Sequence, residues 1–267
     1  MTTMLEFDQE AAARLTAVYV TPDVIAQRAQ LLEAMALRAG DRVLDVGCGA
    51  GFLSLELAER VGASGRVLGV DVSEAQLGLA AARCAHRSWV SFREANASAL
   101  PCSDAEHDVV VSAQVLEYVS DVGAALRELA RVVRPGGRVF VLDTDWASLV
   151  WHSSDPGRMQ HVINAWDEHL SDPHLPRTLA PQLRAAGLEV ELQTMIPLFN
   201  PVYEPDSYSN RMIDVIVAFV VGRRGVSSAE AAAWAEDLRA LGARGHYFFS
   251  LNRYLFGARK PLAFTNA

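Results

Sequence analysis

The stretch VLDVGCGAG, residues 43 to 51, decides the fold: an apolar run carrying one carboxylate, Asp45, stops at three alternating glycines, Gly47, Gly49 and Gly51. A short apolar, β-branched run bounded by glycine reads as a buried strand. The glycines give its turn a backbone that a ligand can approach where any Cβ would block it. A tight turn holding no ligand is the alternative.

Outward from this turn the pattern alternates. Before it, 8–19 and 22–38 read as helices, the second opened by Thr21 as N-cap and Pro22 at its first position, with Gly40 beyond its end. After it, FLSLELAERVG (52–62) has helical periodicity and GRVLGVDVS is a second strand, with Ser73 capping a helix to about Cys84. WVSFRE, HDVVVSA, a helix from about Asp121 to Val133, the turn RPGG (134–137) and RVFVLDT (138–144) continue the series. Such repetition predicts an α/β fold, a doubly wound, mostly parallel sheet of Rossmann-like type. Beyond Asp145, helical segments at 155–170, 206–223 and 227–243 sit between TLAPQLRAAG (178–187), LEVELQTM (188–195) and YFFSLNRYLFGARK (247–260), as insertions that would form a lid beside the strand ends.

Composition limits the function classes. With 267 residues, 51% hydrophobic and 21% charged, the chain is globular and large enough for a self-sufficient core. VIVAFVVG (215–222) is too short for a membrane span and reads as a buried helix. The N-terminal MTTMLEFDQEAAARL lacks a basic region followed by an apolar one, so no signal peptide is expected. Cys48, Cys84 and Cys102 have no CxxC spacing, which argues against a disulfide framework or structural zinc and for a reducing cytoplasm. A net charge of −8 without a basic cluster disfavours nucleic acid as partner.

In an open parallel sheet, ligands bind beyond the carboxyl ends of the strands where strand order reverses. A dinucleotide fingerprint would need glycine at position 52, which is Phe52. Asp71 ends the second strand 20 residues past Gly51 (71 − 51), where one carboxylate can accept from both hydroxyls of a ribose. It could instead be a neighbour of the Ser73 cap.

GxGxG after an acidic residue, Asp71, EANASALPCSDAEHDVVVSAQVLEYVSD (94–121) and RVVRPGGRV (131–139) together resemble class I S-adenosylmethionine-dependent methyltransferases, and within them the ubiquinone/menaquinone C-methyltransferase-like branch. The similarity covers roughly 20–145. It implies a seven-stranded sheet with helical lid insertions in one domain, 1–267: N-terminal helices 1–40, cofactor core 41–145, and lid insertions with final strands 146–267. The implied cofactor is S-adenosylmethionine, with Asp45 and the backbone of Gly47, Cys48 and Gly49 at its methionine end, Asp71 on the ribose, and Val72, Asn96 and Ala97 at the adenine. Gln114 would lie near the sulfonium and Tyr19 would cover the site. Asn96 stands where the family commonly has Asp, which weakens the expected hydrogen bond. Asn96 could also merely shape its loop, and Tyr19 could be ordinary packing.

Methyl transfer needs alignment and exclusion of water, and no metal is expected. Candidates for a general base are Glu117, Tyr118, Asp143, Asp145, His152, His161 and Tyr247, with His152 preferred because it follows the fifth strand amid Trp146 and Trp151. Asp143 and Asp145 read as turn caps, and His152 as a surface histidine, in the alternative. Trp146, Trp151 and Tyr247 are the candidate substrate contacts. The aromatic supply that also includes Trp166, Phe199, Tyr203, Tyr208, Trp234 and Phe248 favours a small lipophilic or aromatic acceptor, methylated on O or C. The alternative is a cofactor-binding enzyme that catalyses a non-methylating reaction such as cyclisation or decarboxylation.

Overall fold

A computed structural model of the protein describes residues 16 to 262. Most of the expected helix at 8–19 lies outside them. In chain order the elements are α1 (Pro22–Met35), β1 (Arg42–Val46), α2 (Phe52–Val61), β2 (Arg66–Asp71), α3 (Glu74–Arg83), β3 (Val90–Glu94), β4 (His107–Ala113), α4 (Val122–Val132) and β5 (Val133–Thr144). There follow β6 (Val150–Trp151), α5 (Pro156–Trp166), α6 (Pro176–Ala185), β7 (Glu189–Asn200), α7 (Tyr208–Val220), α8 (Ser228–Ala243) and β8 (Phe249–Arg259).

The chain divides into two compact units. A sheet unit comprises Arg28–Thr144, His174–Ile196 and 253–262, and a helical unit comprises 16–27, Asp145–Pro173 and Pro197–Asn252. In the sheet unit the order is β3-β2-β1-β4-β5-β8, with β7 pairing β8. Strands β1 to β5 are parallel and β8 is antiparallel to β5. Order therefore reverses at β1, between β2 and β4, and the glycine turn leaves the sheet at that point.

Both sheet faces are covered, as a parallel sheet requires. Because side chains alternate along a strand, Leu44 and Val46 join Val110, Val139 and Val141 in one core with α4 and α6. Val43, Val109, Val111 and Leu142 face the other way, onto Leu31 and Met35 of α1 and Leu57 and Val61 of α2. Asp45 shares the second face and is the carboxylate that this alternation buries.

In the helical unit, Asp155, Ser207 and Ser227 cap α5, α7 and α8 by accepting from Arg158, Asn210 and Glu230 N–H groups. The VIVAFVVG stretch falls in or just after α7, whose inner face is buried, and no helix among the described residues is long and apolar enough to cross a membrane.

Four sequence expectations are corrected. The sheet has eight strands instead of seven, because the two-residue β6 pairs with Phe249 and Ser250. RPGG is no separate turn but lies within β5, with Gly136 at φ +73 as its irregularity. Helix α1 stops at Met35, where Ala36 turns to φ +44. Thr21 does not cap it in the expected way, since its hydroxyl donates back to the Val18 carbonyl.

Candidate cofactor site

The three glycines of the β1–α2 turn all have positive φ, +73, +50 and +78, but for different reasons. A Cβ on Gly47 would stand 2.2 Å from Val115 Cγ2, and one on Gly51 2.8 Å from Ala80 Cβ, so these two are glycine because protein packs against them. A Cβ on Gly49 would meet nothing within 4 Å. Only Gly49 faces open space.

Its N–H donates to Asp71 Oδ2 at 2.8 Å, while Asp71 Oδ1 accepts from Ser73 N at 2.9 Å. Each carboxylate oxygen keeps a second lone pair. Asp71 is half-buried at the end of β2, and the next residue, Val72, is 50% exposed, an apolar surface without a core role. The N–H groups of Gly47 and Cys48 both donate to the Val70 carbonyl, and that of Gly51 to Cys48 O. The loop's first N–H groups are thus spent inside the protein, and the anion-binding donors left are those at the N-terminus of α2.

Asp45 lies beneath this loop, 2% exposed, and Ser54 Oγ donates to it at 2.6 Å. Burial, opposed by that bond, holds its pKa up at about 7. The buried Cys48 thiol is pushed far up, first by burial and then by Asp45 and Asp71, so it is a packing group and no nucleophile.

The remaining predicted cofactor contacts are placed as follows. Asn96 is exposed and its Oδ1 accepts from Ser98 N at 2.9 Å, shaping the turn, while Ala97 is buried beside it. Gln114 follows β4 at φ +59, in the left-handed region that a residue other than glycine adopts at a cost. It is held there by Leu142 O, which accepts from its N at 2.7 Å and Nε2 at 3.2 Å, and by the Thr144 hydroxyl, which donates to its Oε1 at 2.7 Å. Tyr19, half-buried, belongs to the helical unit.

Sequence reasoning missed the supports Arg83, Ser54 and Arg253, and read Glu117 and Asp143 as candidate bases. Arg83 lies over the Phe52 ring at 3.5 Å and donates to Ala50 O, bracing the turn from α3. Glu117 and Asp143 are both buried at the carboxyl end of the sheet, where Asp143 Oδ1 accepts from Val115 N at 3.0 Å. Burial first, then the Glu117 charge, raise the Asp143 pKa well above the carboxylate range, against the pull of Arg253. Asp45, Asp71, Glu117 and Asp143 thus gather at this end of the sheet, with Asp45 and Asp143 held toward their protonated forms by burial. Neither Ser54 nor Arg253 is recognisable from local sequence, since each meets its partner only across the fold.

The predicted acceptor-side residues fall in the helical unit. Trp151 Nε1 donates to Tyr247 Oη at 3.1 Å, and Trp151 meets Phe249 and Trp234 edge-on. Trp146 meets Trp166 and His169 edge-on. All three are buried, and burial pushes the Tyr247 phenol up to about 12. His152 is exposed and its ring makes no hydrogen bond among the described residues, so nothing orients it as a base. His161 is committed to Glu230 and to Arg224 O, and Asp145 caps a turn by accepting from Ala147 N. Exposed instead are Phe199 (53%) and Phe248 (40%), whose rings meet edge-on at 5.5 Å.

Residues 44–141 match a family described as a methyltransferase domain. A chloroplastic 2-phytyl-1,4-beta-naphthoquinone methyltransferase of Arabidopsis thaliana is 40% identical over 111 residues, 40% of this chain and 42% of that protein. A demethylmenaquinone methyltransferase of Lactococcus lactis is 36% identical over 124 residues, 46% of this chain and 49% of its own. The match thus spans less than half the length of these curated relatives. Among solved structures, BH2331 of Bacillus halodurans superposes with a TM-score of 0.65 at 18% identity, covering 88% of this chain and 99% of that one, which shows the shared fold.

Proposed function

On the match of residues 44–141 to a family described as a methyltransferase domain, we propose that the protein transfers the methyl group of S-adenosylmethionine to carbon or oxygen of a small lipophilic acceptor of quinone type. The observation that carries the cofactor assignment is the open space over Gly49, bordered by the Asp71 carboxylate and the exposed Val72. Asp71 has one lone pair left on each oxygen for the two ribose hydroxyls. Val72 offers its apolar face to the adenine, with Ala97 and the Asn96 amide at the ring's edge. The N-terminus of α2 suits the carboxylate of the methionine moiety, and buried Asp45 supports its ammonium through the field.

The bound cofactor supplies an already activated methyl on a sulfonium. Gln114, rigidly bonded, gives the neighbourhood of that sulfonium a fixed shape. For the acceptor, the relatives are named as methyltransferases of a phytyl-naphthoquinone and of demethylmenaquinone, and the exposed pair Phe199 and Phe248 gives this chain an apolar surface of matching chemistry. Trp146, Trp151 and Tyr247 act one layer behind, with Trp151 bracing Phe249 next to Phe248. We assign no proton transfer to His152. The three free, buried thiols fit a reducing cytoplasm.

Calorimetry with S-adenosylhomocysteine tests the cofactor, and absence of heat and of thermal shift would sink it. Incubation with S-adenosylmethionine and a polyprenyl-naphthoquinol then tests the reaction. A product heavier by one methylene unit supports transfer, whereas a product of unchanged mass would point to the non-methylating alternative.

A further inference from the structure

At the amino end of β4, far from the glycine turn, three side chains converge: Cys102 Sγ, a Glu106 carboxylate oxygen and a His107 ring nitrogen all lie within 4.8 Å of one another. His107 opens β4 and Ala113 closes it, so the cluster lies about 20 Å from the cofactor end at the rise of an extended strand. His107 is 5% exposed, and neither Nδ1 nor Nε2 has a hydrogen-bond partner. An imidazole buried without a partner for either nitrogen is disfavoured and calls for a ligand that the chain itself does not supply. Cys102 is buried beside it as a free thiol, and solvent reaches Glu106.

We propose that Cys102, Glu106 and His107 form a site for a borderline-soft divalent cation, zinc in the first place, with water as fourth ligand. Sulfur, imidazole nitrogen and carboxylate oxygen are the three donor types zinc takes. Ligand atoms of a tetrahedral zinc stand roughly 3.4–3.8 Å apart given bond lengths of about 2.1–2.3 Å, so closing the cluster needs side-chain adjustments of about 1 Å. A thiolate and a carboxylate would balance the charge of the ion.

The surrounding frame is already fixed. Arg131 donates to Cys102 O at 2.7 Å and to Leu100 O at 3.1 Å while paired with Glu128 and Asp104. Glu106 Oε2 accepts from Ser103 N at 2.7 Å, which aims the carboxylate and leaves its other oxygen for a metal. The cysteine spacing gave no sign of this site because only Cys102 takes part, with a partner adjacent to a buried strand residue. Its expected effect is to pin the 102–107 loop, not to take part in chemistry.

The test uses tag-free, full-length protein stripped with a chelator, then titrated with Zn²⁺ by calorimetry, with bound metal counted by plasma emission. One equivalent should bind and raise the melting temperature. Cys102→Ala and His107→Phe should each weaken uptake at least tenfold, Cys84→Ala should not, and Co²⁺ should show a thiolate charge-transfer band lost in Cys102→Ala. Should His107→Phe fail to fold, Glu106→Gln is read instead, with weaker uptake and an altered Co²⁺ spectrum. Binding of S-adenosylhomocysteine should survive all these changes in the folded variants. No stoichiometric uptake, or full uptake by Cys102→Ala, overturns the proposal independently of the methyltransferase reading.

Discussion

Asp71 accepts the main-chain N–H of Gly49 through Oδ2 at 2.8 Å, so the residue that ends β2 also fixes the one glycine of the turn that faces open space. One carboxylate thereby shapes the loop and borders the place proposed for the cofactor. Asp71→Ala should weaken S-adenosylhomocysteine binding more than tenfold and also cost about 1–3 kcal/mol of stability, since it leaves the Gly49 and Ser73 N–H groups without their charged acceptor. Asp71→Asn keeps only one carbonyl acceptor and should fall between. Calorimetry and urea denaturation of the same samples check both effects.

The glycines separate packing from ligand access. Gly47→Ala puts a Cβ 2.2 Å from Val115 and should destabilise by about 2–4 kcal/mol, by overpacking together with left-handed strain. Gly49→Ala meets no protein atom and should cost only about 1–2 kcal/mol of left-handed strain, yet its methyl would enter the space proposed for the cofactor. The expected pattern is a large stability loss in the first and a large affinity loss at near-normal stability in the second. A Gly49→Ala protein that binds normally would remove the turn from the cofactor site.

Asp45 couples binding to pH. Its folded pKa is raised to about 7 from 3.8, so stability is greatest with the carboxyl protonated and declines as pH rises from about 4 through 7. A cationic cofactor nearby favours the ionised form, so binding should release part of a proton and tighten between about pH 6 and 8. Titrations in two buffers of different ionisation enthalpy measure the release, and Asp45→Asn should abolish it.

His169 has the opposite sign. It is 2% exposed among Trp146, Trp166 and Phe219, and burial lowers its pKa from 6.5 to about 3. The unfolded chain binds the proton first, so stability present above pH 6.5 is lost as pH falls from there toward 3, by at most about 5 kcal/mol. Denaturation midpoints of His169→Phe should show a flatter acid limb than the wild type.

Phe199 and Phe248 are largely exposed, so removing either should leave stability within about 0.5 kcal/mol. If they hold the acceptor, Phe199→Ala and Phe248→Ala should raise KM for a polyprenyl-naphthoquinol several-fold while cofactor affinity stays unchanged. Steady-state kinetics at saturating cofactor read this directly.

The periodicities and the glycine spacing, by themselves, determined the parallel α/β core, the strand HDVVVSA residue for residue, the Ser73 cap, and Asp71 beside the turn. These follow from local rules: side-chain alternation, cap chemistry and the fixed length of a strand–helix unit. Tertiary structure alone decided which glycine faces open space, because Val115 and Ala80 reach Gly47 and Gly51 from distant positions. It likewise set Ser54 against Asp45, gathered Glu117, Asp143 and Arg253, and divided one aromatic supply into buried Trp146, Trp151 and Tyr247 and exposed Phe199 and Phe248. Composition cannot make that division, since an aromatic ring has the same chemistry in a core or on a surface and only the neighbours brought to it across the chain select its role.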